Sequence, residues 1–133
     1  MAKYSISNAG IVDRRLVGIS AMAKLKTAID LMINTSVGTM PVIEDGKLVG
    51  VLDERPLLEY ARKNEHALSA SIVGEVMSKP FFITADTSID EAIDYIISHR
   101  VSRVPIINTR QDMRCIGIVS ATDILNLKIK EKK

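Results

Sequence analysis

The stretch Ala92-Ile93-Asp94-Tyr95-Ile96-Ile97, followed by Val104-Pro105-Ile106-Ile107, decides the fold because the chain has written it before. Its first version is Ala28-Ile29-Asp30-Leu31-Met32-Ile33 with Met40-Pro41-Val42-Ile43. One shift of 64 residues carries Ala28 onto Ala92, Pro41 onto Pro105 and Ile43 onto Ile107. Worked outward, the same shift places Gly10 on Gly74, Val12 on Val76, Ile19 on Ile83, Ala21 on Ala85 and Val37 on Val101. Beyond Ile43 the shift becomes 67, with Gly50 on Gly117 and Leu58 on Leu125. The extra residues fall in the turn Asn108–Arg114, against Glu44–Lys47. Turns tolerate insertion because they are solvated and loop closure depends weakly on length. Self-similarity at a long fixed period marks a duplicated structural unit.

Each copy follows one physical script, clearer in the second. Phe81-Phe82-Ile83-Thr84 is β-prone, and Ser88 and Glu91 have the spacing of a capping box. Ile89, Ala92, Ile93, Ile96 and Ile97 then recur on one helical face. Val104–Ile107 reads as a strand, with Pro105 suited to a strand's beginning or edge, where its missing N–H is not needed. A turn leads to the strand Cys115–Val119 and to a helix opened by Ser120 or Thr122 that runs through Ile124 and Leu125 toward Leu127. In the first copy the helix carries Leu25, Ala28, Ile29, Met32 and Ile33, and the hairpin Met40–Leu52 turns at Glu44-Asp45-Gly46. The closing helix begins near Glu54, with Pro56 tolerable in its first turn.

The order β-α-β-β-α therefore occurs twice, an α/β (α+β) architecture. Residues 1–63 form the first repeat, 64–73 a linker and 74–133 the second repeat. A unit of this size buries a limited core alone, so the two are expected to pack sheet face to sheet face about a pseudo-twofold axis.

Composition bounds the chemistry. The 133 residues are 47% hydrophobic but only 4% aromatic, so the core must be aliphatic. Charged residues make 26% in near balance, net +2, which lacks the basic stripe of a nucleic-acid partner. The run Lys128–Lys133, interrupted by Glu131, reads as a solvated helix end. The single cysteine, Cys115, cannot form an internal disulfide and lies in an apolar stretch, as a buried strand thiol does. Met1–Gly10 is polar, unlike a signal peptide, and no apolar run approaches the roughly 20 residues of a membrane span. A cytoplasmic location is expected, where the triplet Asn34-Thr35-Ser36 carries no glycan. Gly46-Lys47 is followed by leucine and belongs to a hairpin, not a phosphate loop, and no G-x-G-x-x-G, H-E-x-x-H or C-x-x-C occurs. His66 and His99 lack a thiol or carboxylate cluster at ligand spacing, so no zinc site is read. Neither a catalytic residue, a metal ligand nor a catalytic cofactor is expected.

The last strand-to-helix junction has a physical reading of its own. Gly117, near a strand's end, lets a ligand approach the backbone. Ser120 and Thr122 put hydroxyls at a helix start, whose free N–H groups and dipole favour an anion. Asp123 has the two acceptor oxygens needed to take both hydroxyls of a ribose. The same spacing also suits Ser120 and Asp123 as a plain helix cap, and one residue can serve both ends.

Gly117-Ile118-Val119-Ser120-Ala121-Thr122-Asp123-Ile124-Leu125 resembles the Gly-hydrophobic-hydrophobic-Ser/Thr-x-x-Asp signature of the CBS-domain family, particularly as found in the gamma subunit of AMP-activated protein kinase. His99-Arg100-Val101-Ser102-Arg103-Val104-Pro105 is similar to the stretch before that subunit's second strand. The resemblance covers nearly the whole chain and implies a pair of such domains, a regulatory or sensor module that binds AMP, ADP or ATP in the cleft between its repeats. It implies Ile118, Ser120, Thr122 and Asp123 at the ribose and phosphate. Val12, Val17, Val37 and Gly38 would form an adenine slot contributed by the first repeat. Arg103, whose counterpart is Thr39, would meet phosphate, although an arginine at a strand edge is as readily just solvated. Arg100, Lys79 and His99 read as solvated. The counterparts of Ser120 and Asp123 in the first copy are Asp53 and Pro56, which disables a second nucleotide site. The resemblance also implies a homodimer and an effector protein that the sequence does not identify. Two alternatives keep the fold: S-adenosylmethionine or NAD as ligand, or an oligomerisation scaffold without ligand.

Overall fold

At Asp45-Gly46 the computed structural model, which describes residues 16–64 and 68–131, makes the tight turn that the sequence predicts. φ is 51° at Asp45 and 80° at Gly46. Positive φ at both central residues matches the twist of the flanking strands, and glycine adopts it without steric cost. The turn joins β1 (Thr39–Glu44) to β2 (Lys47–Asp53), paired antiparallel with Glu44 opposite Lys47. Ahead of the hairpin, α1 (Leu25–Thr35) buries Leu25, Ala28 and Met32. After it, α2 (Glu54–Lys63) starts directly from β2, capped by Asp53, whose carboxylate accepts the Glu54 N–H at 3.0 Å. Pro56 stands in the first turn, where an N–H would have no helical partner.

The second copy repeats the plan with β3 (Ile83–Thr84), α3 (Ile89–His99), β4 (Arg103–Ile107), β5 (Cys115–Ser120) and α4 (Ala121–Glu131). β4 pairs parallel with β3 and antiparallel with β5, giving a mixed sheet. The expected capping box opens α3: the Ser88 hydroxyl accepts the Glu91 N–H and the Glu91 carboxylate accepts the Ser88 N–H, both at 3.1 Å. Both hairpins carry a register shift at the same place, between Val42 and Ile43 and between Ile106 and Ile107. Both leading helices end on a left-handed residue, Ser36 (φ 57°) and Arg100 (φ 54°), which turns its N–H back onto the last carbonyls.

Three details go beyond the sequence expectation or differ from it. The leading strand is short: Ile83–Thr84 in the second copy and, in the first, a parallel bridge from Ile19 to Val42. Pro105 lies in the middle strand rather than at an edge, yet β3 is registered only against Ile106 and Ile107, so that side of the ladder asks for no N–H at Pro105. Ile33 and Ile97, members of the apolar helical stripe, are each 69% exposed. They flank the centre of that stripe, Ala28 and Met32 or Ile89 and Ala92, which meets the sheet.

Val17–Pro80 pack as one unit and the described residues from Phe81 onward belong to another. The first centres on Leu25, Ala28, Met40, Val42, Leu52 and Val73. The second centres on Ile83, Ile89, Val104, Ile106, Val119 and Ile124. All are aliphatic or methionine, as the composition demands, and each larger side chain buried contributes about 1.5–3 kcal/mol. The segment ahead of the second sheet is bound into the first unit. Leu25 N–H donates to the Ser71 carbonyl at 2.9 Å, Gly74 N–H to Ala21 at 2.8 Å, and Ser78 N–H to Val51 at 2.9 Å. Among the described residues no helix is long and apolar enough to cross a membrane.

Candidate functional site

The turn from β5 into α4 holds the residues singled out by the sequence. Ser120, the last residue of β5, caps the helix: its Oγ accepts the Asp123 N–H at 3.0 Å, while Asp123 Oδ2 accepts the Ser120 N–H at 3.2 Å. Ser120 rather than Thr122 is therefore the opening residue, and the capping role open in the sequence is present in the geometry. It does not exhaust the side chains. Asp123 Oδ1 takes no bond among the described residues, so this carboxylate retains an oxygen with both lone pairs. Thr122 is exposed on the first turn. The helix start is tied to the sheet by the Ala121 N–H, which donates to the Ser102 carbonyl at 2.8 Å.

Strand alternation places the remaining members. Gly117 and Val119 are buried, whereas Ile118 and Ser120 on the opposite face are half-buried. Arg103 is registered directly opposite Ser120 and is half-buried at the start of β4. Arg103, Ile118, Ser120, Thr122 and Asp123 thus gather at one end of one sheet, at a helix N-terminus, the arrangement that favours an anion.

The same register in the first copy pairs Thr39 with Asp53. Here the two are bonded to each other, Thr39 Oγ1 donating to Asp53 Oδ1 at 3.0 Å. Thr39 is buried, with 7% exposure, and Asp53 also accepts the Glu54 N–H. The Thr39 hydroxyl is spent on Asp53, both bonds to that carboxylate fall on Oδ1 so that Oδ2 takes none among the described residues, and Pro56 in the following turn offers no polar side chain. Val17 and Val37 are half-buried against the first unit's core, and the Gly38 carbonyl accepts the Glu54 N–H at 2.9 Å. Val12 and His66 lie outside the described residues.

The residues read as solvated are so. Arg100 and Lys79 are exposed, and exposed His99 stacks on Tyr95 with ring centroids 3.8 Å apart. Its Nδ1 stands 3.0 Å from the Tyr95 carbonyl. Burial pushes the Cys115 thiol above its ordinary pKa, which disfavours the reactive thiolate. Among the described residues no group of histidine, cysteine, aspartate and glutamate could hold a metal ion. Sequence reasoning missed the Thr39–Asp53 bond and the seating of Glu54 on Gly38. The signal for both was the alignment, which puts Thr39 against Arg103 and Glu54 against Ala121.

The model of the CBS domain matches residues 6–63 and 73–130. An inosine-5′-monophosphate dehydrogenase of Thermoplasma acidophilum is 29% identical over 115 residues, which is 86% of this chain but 22% of the dehydrogenase. The chain thus spans only a minor part of that enzyme's length. Among solved structures, CBSX2 of Arabidopsis thaliana in complex with AMP has a TM-score of 0.81 at 20% identity, covering 98% of this chain and 99% of that one. The CBS domain pair of protein MJ0100, in complex with 5′-methylthioadenosine and S-adenosyl-L-methionine, has a TM-score of 0.79 at 20% identity, covering 98% and 99%. At these identities the likeness is one of fold.

Proposed function

Because the chain belongs to the CBS domain family, we propose that it is a regulatory module that binds an adenosine-containing nucleotide and alters a partner's behaviour without chemistry of its own. The observation that carries this reading is the difference between the two strand-to-helix turns. In the first copy the Thr39 hydroxyl is spent on Asp53, no cation stands at the Arg103 position, and Pro56 replaces Asp123. In the second copy Arg103, the Ser120 cap and the unused oxygen of Asp123 stand together at a helix start. A cation, hydroxyls and a carboxylate are the groups that phosphate and a ribose diol require. Asp123 takes the ribose hydroxyls, Ser120 and Thr122 the phosphate side, Arg103 the phosphate charge, and Ile118 the apolar flank. Val12, Val17, Val37 and Gly38 take the adenine. The AMP of CBSX2 and the adenosyl ligands of MJ0100 support an adenosine moiety as the shared element.

A second copy of the chain is the proposed partner for the exposed apolar helix faces, Ile33 with Leu58 and Ile97 with Leu125, which occupy equivalent positions in the two copies. An effector protein then reads the ligand state.

Melting the protein with AMP, ATP, S-adenosylmethionine or NAD tests the reading. A ligand that binds only the native state stabilises it by about 2.7 kcal/mol at a hundred times its Kd. A rise with AMP or ATP is expected. A rise with S-adenosylmethionine alone would move the assignment to an adenosyl ligand without phosphate, and no rise with any of the four would leave only the scaffold reading.

A further inference from the structure

Glu54 is the first residue of α2, and its backbone is pinned by donation to the Gly38 carbonyl at 2.9 Å. Its side chain lies on the bare face of that same glycine: a Cβ built on Gly38 would stand 2.6 Å from the carboxylate carbon and from Oε2, and 2.8 Å from Oε1. No hydrogen bond or ion pair to the Glu54 carboxylate occurs among the described residues, and the residue is exposed. The second copy has the same backbone closure, Ala121 N–H to the Ser102 carbonyl at 2.8 Å, but neither the glycine nor the acid. The carboxylate is therefore an addition to the first copy that the backbone closure does not require.

Resting on the reading that Val17, Val37 and Gly38 receive the base, we propose that Glu54 is a specificity-determining residue that selects adenine over 6-oxopurines. A base brought to the face of Gly38 meets a carboxylate, a group that when ionised only accepts hydrogen bonds. The 6-amino group of adenine donates to it. The 6-oxo group of hypoxanthine or guanine is itself an acceptor, and two facing acceptors leave both unpaired. Val17 and Val37 supply apolar contact that any purine satisfies, so the discrimination falls to this one polar group.

The experiment is calorimetric titration of the full chain with AMP and with IMP, for the native protein, Glu54→Gln and Gly38→Ala. Alanine occupies the position equivalent to Glu54 in the second copy, so the fold has room for change there. A hydrogen bond to a charged group predicts AMP binding roughly tenfold to a hundredfold tighter than IMP in the native protein. Glutamine can donate as well as accept, and Glu54→Gln should bring the two ligands within about threefold of each other. The new methyl of Gly38→Ala displaces the flexible end of Glu54 and should shrink the same ratio. An unchanged AMP-to-IMP ratio in Glu54→Gln, with AMP still bound, overturns this proposal and leaves the nucleotide reading intact. Failure of the native protein to bind either nucleotide overturns both.

Discussion

Replacing Asp123 by alanine removes two things that different assays read. The first is half of a cap. Asp123 Oδ2 no longer accepts the Ser120 N–H, now at 3.2 Å, although the Asp123 N–H still donates to Ser120 Oγ. Loss of one part-buried capping bond and of a carboxylate in the first helical turn costs about 1 kcal/mol together. For a domain of this size that lowers Tm by roughly 3–5 °C. The second loss is the acceptor proposed for the ribose. Hydrogen bonds to a charged group are worth about 1.5–3 kcal/mol, so AMP affinity should fall roughly tenfold to a hundredfold. Asp123→Asn separates the two, because an amide oxygen can still accept the Ser120 N–H while the charge and one acceptor are gone. Its Tm should stay within about 2 °C of the native value while its affinity still falls. Melting curves and calorimetry on the three proteins decide the matter. A lowered Tm with undiminished AMP affinity in Asp123→Ala would show that Asp123 is a helix cap and nothing more.

Gly46 has φ 80°, so Gly46→Ala should lower the urea midpoint by the equivalent of about 1–2 kcal/mol, and an unchanged midpoint would mean the turn is not held in this form. Leu58→Lys with Leu125→Lys places charge on both exposed helix faces and should turn a dimer into a monomer by light scattering; a native protein already monomeric at millimolar concentration would remove the second-copy partner. Burial raises the Cys115 pKa above its ordinary 9.0, so a thiol reagent at pH 8 should label the native chain far more slowly than the urea-unfolded one, and equal rates would contradict the packing of β5. The sign of the linked stability follows. Above pH 9.0 the unfolded thiol gives up a proton that the native one keeps, so the contribution of Cys115 to stability declines as pH rises toward the folded pKa.

Much of this molecule was legible because its signals are local and doubled. Asp45-Gly46 demands positive φ, Ser88 and Glu91 demand a helix start, and each element found in one copy could be checked against the other. The exposure of Ile33 and Ile97 was not legible, because periodicity marks an apolar stripe and not which part of it meets the sheet. Pro105 was read as a strand's beginning or edge because one strand's sequence does not reveal how far its neighbour extends. At the site, the residue types at the β5–α4 turn were legible but not their mutual bonds. Serine and aspartate three residues apart serve a helix cap and a ribose alike, and only geometry shows that, among the described residues, one carboxylate oxygen is engaged and the other is not. The closure of Thr39 on Asp53 needed the strand register, which brings together residues 14 apart in the chain.

The central claim is that the strand-to-helix turn of the second copy holds ribose and phosphate, whereas that of the first, with Asp53 and Pro56 at the equivalent positions, does not. Isothermal titration of the native chain with AMP tests it most directly. A stoichiometry near one nucleotide per chain is expected, with Thr39 and Asp53 bonded in the first copy and Arg103, Ser120 and Asp123 available in the second. Two equal sites per chain, or binding that survives Asp123→Ala but is abolished by a substitution at Asp53, would contradict it.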